Sequence, residues 1–274
     1  MKNWLITGVS RGLGLAIART ALARGDRVVG TVRSETVELS ALGERLKVLK
    51  VDMSDEAGVV GAVHEAFKSL GRIDVIVNNA GYGLLGAVEG ASDEDIRRLF
   101  EVNVYTPIRI VRTALPYLRS QSSGHVINIT SIAGRAPGVA SAIYAATKFA
   151  LEGFSTALSQ EVEPLGLKVT AVAPGQFRTD FLSETSVRKS TAQRAEFSPA
   201  VTAALEAMSA LDHQQLGDPE LAAQAIVEVA HHHQPPLHLL LGSDALQRAR
   251  SKLTAVANEM AAWEPVTVGT DFKG

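Results

Sequence analysis

The sequence contains no cysteine, no strong excess of one charge and no long apolar run, and each absence excludes a class of function. Without cysteine there is no disulfide, no thiolate nucleophile and no cysteine-ligated metal. The formal net charge of −2 gives no basic surplus of the kind that nucleic-acid-binding chains carry, and no charged tail indicates a membrane surface. We therefore expect a small-molecule partner, with neither a nucleic acid nor a membrane.

The first residues do not resemble a targeting segment. The apolar run at residues 4–6 stops at Thr7 and Gly8, which is too early for the apolar region of a signal peptide. No stretch approaches the ~18 apolar residues that a membrane-spanning helix requires. The expected compartment is the cytoplasm.

Apolar runs and helical patterns alternate along the 274 residues. Predicted strands are at residues 4–7, 27–32, 46–51, 73–77, 125–130, 168–173 and 237–241. Predicted helices are at residues 15–23, 57–70, 93–118, 141–165, 218–230 and 244–263, with a kink or break near Pro107 and an irregular tail at 264–274. This alternation predicts an α/β fold: a single doubly wound domain over residues 1–274, with about seven parallel strands and helices on both faces.

Residues 176–217 interrupt this alternation and are mostly polar, with helix formers at 201–211. So long an excursion between sheet elements is typical of a functional lid or a disordered insert. Its apolar and basic side chains are Phe177, Phe181, Leu182 and Phe197, and Arg178, Arg188, Lys189 and Arg194. They favour either a lid over a bulky, partly apolar carbonyl or alcohol, or a flap whose phenylalanines simply pack on the body.

Three glycines follow the first strand and open the first helix. Gly8, Gly12 and Gly14 are spaced Gly-x-x-x-Gly-x-Gly, at the position where a dinucleotide-binding fold requires glycine. There they permit a tight turn and a close backbone approach, and the helix N-terminus faces a pyrophosphate. Glycines at such turns also occur for the turn alone, but the continuing strand–helix pattern favours cofactor binding.

The end of the second strand indicates which dinucleotide is bound. An NAD site usually has an acidic residue there, whereas this chain has Val32 followed by Arg33. Arg11 lies within the glycine turn, and two arginines suit a 2′-phosphate, which a guanidinium binds through two parallel hydrogen bonds. The sequence therefore predicts NADP(H) in preference to NAD(H), unless both arginines are only solvated surface charges.

Tyr144 and Lys148 are four residues apart and so lie on one face of a predicted helix. A lysine ammonium beside a phenol favours the phenolate, so we expect the pKa of Tyr144 to fall below its ordinary value of ~10. Tyr144 would then serve as a proton donor and acceptor. An ordinary surface pair has the same spacing, so the remaining motifs must decide between the two interpretations.

Together these features resemble the short-chain dehydrogenase/reductase family of Rossmann-type, tyrosine-dependent oxidoreductases. The matching motifs follow in the family's order: Thr7-Gly8-x-x-x-Gly12-x-Gly14, Asp52, Asn78-Asn79-Ala80-Gly81, Asn103, Ser131, Tyr144-x-x-x-Lys148 and Pro174-Gly175-x-x-x-Thr179. The resemblance covers residues 3–179 and implies a nicotinamide-dependent oxidoreductase.

The resemblance implies four catalytic residues. Tyr144 would be the general acid in reduction and the general base in oxidation. Lys148 would lower the Tyr144 pKa and bind the nicotinamide ribose, and Ser131 would hold the substrate oxygen by a second hydrogen bond. Asn103 would support a chain of waters from Lys148 to solvent.

The resemblance also implies cofactor contacts along the chain. Asp52 would accept a hydrogen bond from the adenine amino group. Asn79, Ala80 and Gly81 would line the adenosine, and Pro174, Gly175 and Thr179 would hold the nicotinamide carboxamide. Further predicted cofactor residues are Ser10, Arg11, Leu13, Arg33, Met53 and Phe177, together with Tyr144 and Lys148.

Substrate contacts are predicted at Tyr82, Ala133 and Phe181, with Leu84, Leu85, Gly134, Ala136 and Pro137 as further pocket candidates. The histidines at 231–233 and His238 are not interpreted as a metal site. Consecutive histidines cannot all face one centre, and no suitably spaced carboxylate joins them. An exposed helix end explains them, and no metal is expected.

The sequence thus predicts an NADP(H)-dependent oxidoreductase that interconverts a carbonyl and a secondary alcohol, with Tyr144 as the general acid/base. One alternative is NADP⁺-dependent oxidation of a steroid-, retinoid- or polyketide-like hydroxyl. Another is a cofactor-binding sensor or scaffold without chemistry. A homodimer or homotetramer that pairs the helices at 93–118 and 141–165 is possible by family resemblance, although charges on the first helix leave a monomer open.

Overall fold

The computed structural model describes residues 1–34, 39, 42–179, 181, 187–189, 198–211 and 214–272. In chain order the elements are β1 (Asn3–Thr7), α1 (Gly12–Ala23), β2 (Arg27–Val32), β3 (Leu46–Lys50), α2 (Glu56–Leu70), β4 (Val75–Asn78), β5 (Gly83–Leu85), α3 (Asp93–Phe100), α4 (Thr106–Ser120), β6 (Gly124–Ile129), α5 (Ala142–Val162), β7 (Leu167–Pro174), β8 (Val187–Lys189), α6 (Pro199–Ala210), α7 (Pro219–His231), β9 (His238–Leu241) and α8 (Ser243–Val268). Apart from the end of α8, the ends of the predicted strands and helices fall within three residues of these bounds.

Seven parallel strands form one sheet in the order β3-β2-β1-β4-β6-β7-β9. The order reverses between β1 and β4, which is the switch point where doubly wound folds open a crevice for ligands. Because all seven strands are parallel, their carboxyl ends lie along the same edge of the sheet. The predicted seven-stranded, doubly wound α/β fold is therefore confirmed, and its ligand-binding edge is defined.

Both faces of the sheet are covered, as a parallel sheet requires. Along β1, Trp4 and Ile6 belong to the core packed against α1 and α7, while Leu5 belongs to the core packed against α2, α4 and α5. Trp4 is fully buried, and its indole nitrogen donates a 2.9 Å hydrogen bond to Asp26. The period of two in β1 thus places alternate side chains in two separate cores.

The predicted helix at 93–118 is divided by one π-helical turn at Glu101–Tyr105. Pro107 lies in the first turn of α4, directly after that wider turn. A proline has no N–H to donate to the carbonyl four residues earlier, and its ring collides with that carbonyl in a regular helix. The break expected near Pro107 is therefore confirmed. It also places Asn103, a predicted catalytic residue, in a π turn, a geometry frequent at functional sites.

The second sheet was not predicted. β5 pairs with β8 in parallel, joining the chain after β4 to the segment at 176–217. Each strand has three residues, which is too short for periodicity to distinguish it from a loop. The interpretation of residues 176–217 as a stretch without sheet elements was therefore wrong at residues 187–189.

The C-terminal helix is longer than predicted. It runs to Val268, whereas the sequence was expected to become irregular after residue 263. Pro265 lies in its exposed last turns, where the carbonyl that loses its N–H partner can be hydrated instead. No helix of the described residues is long and apolar enough to cross a bilayer, although α8 has 26 residues.

One close contact between β2 and the glycine turn offers a test of the packing. A Cβ added at Gly30 would lie 2.4 Å from a methyl carbon of Val9, so alanine cannot fit without displacing that side chain. We expect Gly30→Ala to lower the free energy of unfolding by about 1–3 kcal/mol, measured by urea denaturation.

The same substitution should cost at least ~1 kcal/mol less in a Val9→Ala background, where the obstructing methyls are gone. Gly61→Ala is the matched control, because a Cβ at that helical position meets nothing within 4 Å and should stabilise the protein by about 0.5–1 kcal/mol. An equal cost in both backgrounds would contradict this packing.

Candidate active site

The end of β6 brings Ser131 beside the first turn of α5. Ser131 has an extended backbone and caps the short helical turn Ile132–Gly134 by accepting a 3.1 Å hydrogen bond from the amide of Ala133. Tyr144 is buried, and its phenol lies near enough to the hydroxyl of Ser131 for that group to lower its pKa. The two hydroxyls predicted to bind one substrate oxygen therefore lie together.

Lys148 lies one helical turn beyond Tyr144 and is also buried. Its Nζ donates a 2.9 Å hydrogen bond to the carbonyl of Ile129, at the carboxyl end of β6. The same Nζ is 5.7 Å from the centroid of the Tyr144 ring. The spacing of four residues thus places both side chains on one face of α5, as predicted.

The pKa of Tyr144 contradicts the sequence-based expectation. Burial raises the pKa of Tyr144 to about 12, while the hydrogen bond from Ser131 acts in the opposite direction. Burial also lowers the pKa of Lys148 to about 8, against the raising effect of the nearby Glu152 carboxylate. Desolvation disfavours both the phenolate of Tyr144 and the ammonium of Lys148. For Tyr144 this effect outweighs the attraction of the Lys148 ammonium on which the sequence-based expectation relied. At neutral pH the phenol is therefore protonated.

A buried acidic residue that the sequence analysis missed lies behind Lys148. Glu152 Oε1 accepts a 2.5 Å hydrogen bond from Thr130 and lies 3.1 Å from Arg135 Nε, while Oε2 lies 3.5 Å from His238 Nδ1. Glu152 follows Lys148 by four residues, so helical spacing could have identified it. The residues that contact Glu152 lie in separate segments of the chain, so no local sequence pattern predicts these contacts.

Asn103 joins the chain after β4 to α5. Its Oδ1 accepts a 3.2 Å hydrogen bond from the amide of Tyr82, and its Nδ2 donates to the Tyr82 carbonyl at 2.9 Å and to Thr147 at 3.2 Å. A Cβ at Gly81 would lie 3.1 Å from Asn103 Oδ1 and 3.8 Å from Lys148 Nζ. The structure thus brings Asn103, Gly81 and Lys148 together.

The glycine turn is attached to the end of β4 by Asn79. Its side-chain Nδ2 donates to the carbonyls of Thr7 and Gly8, at 2.9 and 3.1 Å. In return, Thr7 Oγ1 accepts hydrogen bonds from the amides of Asn79 and Ala80, at 3.0 and 2.9 Å. The donors of the Asn79 amide group are therefore used to shape the turn.

The geometry of the turn fits the phosphates of a dinucleotide. Gly8 and Gly12 have positive φ values of 73° and 56°, which favour glycine. A Cβ at Gly14 would lie 2.1 Å from the carbonyl oxygen of Gly8. The N-cap residue Arg11 makes no side-chain cap hydrogen bond to α1, and a helix N-terminus is suited to an anion. The other predicted residues of the turn are half-buried: Ser10 and Leu13.

Arg33 and Asp52 face the same region beyond the carboxyl ends of β2 and β3, and both are exposed. Hydrogen bonds from Ser54 hold the pKa of Asp52 below its ordinary value, and the charges of Arg98 and Arg33 contribute in the same direction. Met53 is half-buried, and its carbonyl accepts a hydrogen bond from Thr106. The residues predicted to contact the adenosine half of a cofactor therefore cluster beside the glycine turn.

Asp244, another residue that sequence analysis missed, holds the loop after β7. The amide of Gly175 donates to Leu241 at 2.8 Å, and that of Gln176 donates to Asp244 Oδ2 at 2.9 Å. A Cβ at Gly175 would lie 2.2 Å from Asp244 Oδ1, so only glycine fits. The first turn of α8 thus sets the position of Pro174-Gly175.

Phe177 and Thr179 extend this loop back toward the glycine turn. Phe177 forms a parallel bridge with Gly217, and the amide of Thr179 donates to the Phe177 carbonyl at 2.9 Å. A Cβ at Gly12 would lie 3.7 Å from Thr179 Cβ. The two ends of the predicted cofactor site therefore approach one another.

Two predicted substrate residues lie beside Tyr144. Phe181 packs in one apolar cluster with Ala133, Tyr144 and Ala145, and its ring centroid is 5.8 Å from that of Tyr144. The third, Tyr82, is held by Asn103 as described above. The remaining lid predictions at Leu182, Arg194 and Phe197, and the side chains of Arg188 and Lys189, lie outside the described residues.

The histidines near the end of α7 have separate partners. His231 Nε2 lies 3.3 Å from Asp26, and its ring is 6.1 Å from that of Trp4, so this residue is not the exposed helix end that was expected. His232 is hydrogen-bonded to the carbonyl of Gln234. Within the described ranges no group of three or more histidine, aspartate and glutamate side chains could hold a metal ion.

The lowered pKa of Lys148 predicts a stability cost. We expect Lys148→Met to raise the free energy of unfolding at pH 7 by about 1–3 kcal/mol, because a buried charge is replaced by an apolar side chain of similar length. Lys148 releases its proton near pH 8 when folded and near its ordinary 10.5 when unfolded, so wild-type stability rises with pH in this window.

The difference between the two proteins should therefore shrink between pH 8 and 10.5, as followed by urea denaturation. Lys68→Met, at an exposed position of α2, is the control and should not show this pH dependence. A Lys148→Met variant that is less stable than wild type at pH 7 would refute the electrostatic cost.

Comparison with known proteins identifies relatives over nearly the whole chain. The family model for short chain dehydrogenases matches residues 2–190. The chain is 35% identical to oxidoreductase BOA17 of Botryotinia fuckeliana, over 98% of this chain and 99% of that protein. It is 32% identical to 3-ketodihydrosphingosine reductase of Bacteroides thetaiotaomicron, over 87% of both chains. Retinol dehydrogenase 8 of Bos taurus is 32% identical, over 85% of this chain and 79% of that one.

Solved structures with the same fold are similar to this chain over most of its length. A short-chain dehydrogenase from Streptomyces avermitilis superposes with a TM-score of 0.92 at 36% identity, covering 99% of this chain and all of that one. Two more distant structures contain cofactors. One from Burkholderia phymatum is in complex with NAD (TM-score 0.83, 22% identity, 94% and 95% coverage), and the ElxO structure has NADP bound (TM-score 0.75, 28% identity, 90% and 100% coverage).

The sequence motifs, the doubly wound sheet and the length of these matches lead to one assignment. The chain belongs to the short-chain dehydrogenase/reductase family of oxidoreductases.

Proposed function

We propose that this protein is an NADP(H)-dependent carbonyl reductase that interconverts a carbonyl group and a secondary alcohol, with Tyr144 as the general acid and base. The observation that carries this proposal is that the buried Tyr144 phenol and the Ser131 hydroxyl lie together at the carboxyl edge of the sheet. Lys148 lies behind the pair, and the glycine turn lies along the same edge.

The two hydroxyls act on the substrate oxygen. In reduction the oxygen becomes negative as the carbonyl carbon is reduced, and hydrogen bonds from Ser131 and Tyr144 stabilise that charge. Tyr144 then donates its proton to the oxygen, and its pKa of about 12 keeps the phenol protonated until that moment. In oxidation the same phenol accepts the proton from the alcohol.

Lys148 and Asn103 support this transfer. When Tyr144 gives up its proton, a phenolate forms on a ring whose centroid is 5.7 Å from the buried Lys148 ammonium, which stabilises the new charge. The buried Glu152 keeps a countercharge close to Lys148. Asn103 holds Tyr82 and α5 in place, and we propose that it also supports the supply of protons from solvent to Lys148.

The turn at Gly8–Gly14 and the loop at Pro174–Thr179 would hold the cofactor, which supplies or accepts a hydride when bound. The uncapped N-terminus of α1 suits its pyrophosphate. At the adenosine end, β2 finishes at Val32 with no carboxylate, while Arg11 and Arg33 are exposed. Two guanidinium groups support a preference for the 2′-phosphate of NADP(H).

Phe181 and Ala133, which pack on Tyr144, support a partly apolar substrate. Among the relatives one is named a 3-ketodihydrosphingosine reductase and another a retinol dehydrogenase, which supports a bulky substrate and leaves the physiological direction open. We further propose that residues 1–274 form a single cytoplasmic domain, in which residues 176–217 serve as the lid over the substrate.

The central test is Tyr144→Phe. Removing one hydroxyl should lower kcat for carbonyl reduction by about 10²–10⁴-fold, because the proton donor is lost, while the affinity for NADPH stays within about twofold. A panel of ketones and alcohols, followed by NADPH absorbance, provides the assay. Tyr117→Phe is the control, because that exposed tyrosine of α4 stacks on Phe67 and its hydroxyl is hydrogen-bonded to His64, outside the proposed site.

The panel also separates the alternatives. Turnover confined to alcohols with NADP⁺ would favour physiological oxidation. No turnover of any compound by a folded, NADPH-binding protein would instead support a sensor or scaffold. Near-normal reduction by the Tyr144→Phe variant would overturn the assignment of Tyr144.

The cofactor preference has its own test. We expect Arg33→Glu to raise the Kd for NADPH by about 10- to 100-fold, because a charged hydrogen bond to the 2′-phosphate is replaced by repulsion. The Kd for NADH should change by no more than about twofold. Arg19→Glu, at an exposed position on α1, is the control. Equal effects on both cofactors, or a wild-type preference for NADH, would contradict the proposed specificity.

A further inference from the structure

Most of helix α8 extends away from the rest of the described structure. Ala245 and Ala249 are buried against Ile132 and Ala136, and Arg248 is hydrogen-bonded to the Ala136 carbonyl. From residue 250 to 272 every residue is exposed except Val256, which is half-buried. At 1.5 Å per residue, the part of α8 beyond Ala249 is about 28 Å long.

Mostly apolar side chains form a regular stripe along this helix. The stripe consists of Leu246, Ala249, Leu253, Val256, Met260, Trp263 and Thr267. Steps of three and four residues alternate over three heptads, which is the a/d pattern of a coiled coil. The side chains of Leu253, Met260 and Trp263 are 70, 68 and 66% exposed, so the outer part of the stripe is unburied.

The stripe continues the face that packs on the body. In heptad positions, Ala249 is d and is buried, Val256 is the next d and is half-buried, and Trp263 is the following d and is exposed. The same face therefore passes from the core of this chain to a solvent-exposed apolar surface.

We propose that the exposed stripe of α8 pairs with α8 of a second copy of this chain, as an antiparallel two-helix coiled coil. The charges beside the stripe support both the partner and its direction. Arg250 and Lys252 lie in the half of α8 near the body, whereas Glu259 and Glu264 lie in the outer half. An antiparallel arrangement places the basic half of each helix opposite the acidic half of the other.

A parallel arrangement is disfavoured by the same residues. In a parallel pair each g position faces the e position five residues later on the other helix. Glu259 is at g and Glu264 is at e, so both symmetry-related contacts would join like charges. In an antiparallel pair each e position faces an e position of the other helix, and each g position faces a g position. Arg250 and Glu264 are both at e, and Lys252 and Glu259 are both at g, so each basic residue can pair with an acidic one. The antiparallel pair is also two-fold symmetric, as most dimers are.

This interface differs from the pairing of α3–α4 and α5 that the family resemblance suggested. It uses only residues outside the proposed catalytic and cofactor sites. Failure of the interface would therefore leave the proposed reaction untouched, and failure of the reaction would leave the interface untouched.

The first test is the mass of the full chain in solution by light scattering after size exclusion. The wild type should contain at least two copies of the 29.0 kDa chain. Met260→Asp combined with Trp263→Asp should halve the observed mass and weaken association by at least ~100-fold, because two carboxylates enter the apolar seam. The control is Ala261→Asp combined with Ala262→Asp, which adds the same charge outside the stripe and should leave the mass unchanged.

A wild type that is a monomer would overturn the proposal. So would an assembly whose mass the Met260→Asp, Trp263→Asp variant does not change, since it would be held by another surface. Unchanged NADPH affinity of each variant verifies that the body of the protein remains folded.

The second test concerns direction and partner together. A variant with Arg250→Glu and Lys252→Glu has two acidic halves, and a variant with Glu259→Lys and Glu264→Lys has two basic halves. Each should dissociate alone, and an equimolar mixture should recover the wild-type mass. A mixture that remains dissociated would exclude antiparallel pairing. Acrylamide quenching of Trp263 gives a local readout, since the only other tryptophan, Trp4, is fully buried.

Discussion

The hydrogen bonds of Asn79 at the reversal point of the sheet hold together the features on which a cofactor site depends. β1 and β4 are paired neighbours in the sheet, and beyond their paired residues the chain turns into α1 on one face and toward α4 on the other. Asn79 bridges the two strand ends through the carbonyls of Thr7 and Gly8, and its Nδ2 also occupies the space that a side chain at Gly14 would need. A residue directly after β4 thus shapes the glycine turn that follows β1.

Desolvation of the buried polar groups is the second constraint, because it lowers the stability of the fold but favours the proposed chemistry. The interior between β6 and α5 excludes water from Tyr144 and Lys148, which raises the pKa of the phenol and lowers that of the ammonium. The ammonium is retained in this environment because Glu152 and the Ile129 carbonyl face it. A stable fold would favour apolar residues at these positions, whereas the proposed proton transfer requires polar groups that are shielded from water.

The sequence predicted the main sheet and the residues gathered along its edge because both depend on local order. Alternating patterns gave the strands, and parallel pairing then placed Ser131, Tyr144 and the glycine turn at one edge. Contacts between distant segments were not predictable in this way. Asp244 meets Gln176 across 68 residues, and nothing near either residue indicates the contact. The Tyr144 pKa was misjudged because helical spacing gives proximity but not the depth of burial.

Asp244 gives α8 a mechanical relation to the loop at Pro174–Thr179. Its carboxylate, one residue into a 26-residue helix, fixes the amide of Gln176, while the far end of that helix is about 39 Å away. The first turn of α8 therefore contacts the proposed nicotinamide site, while the rest of the helix extends away from it. By this geometry, a rotation of ten degrees about the base displaces the tip by about 7 Å but Asp244 by well under 1 Å. Movements at the tip consequently reach the loop strongly reduced, and restraint of the tip holds the angle of α8 with high precision.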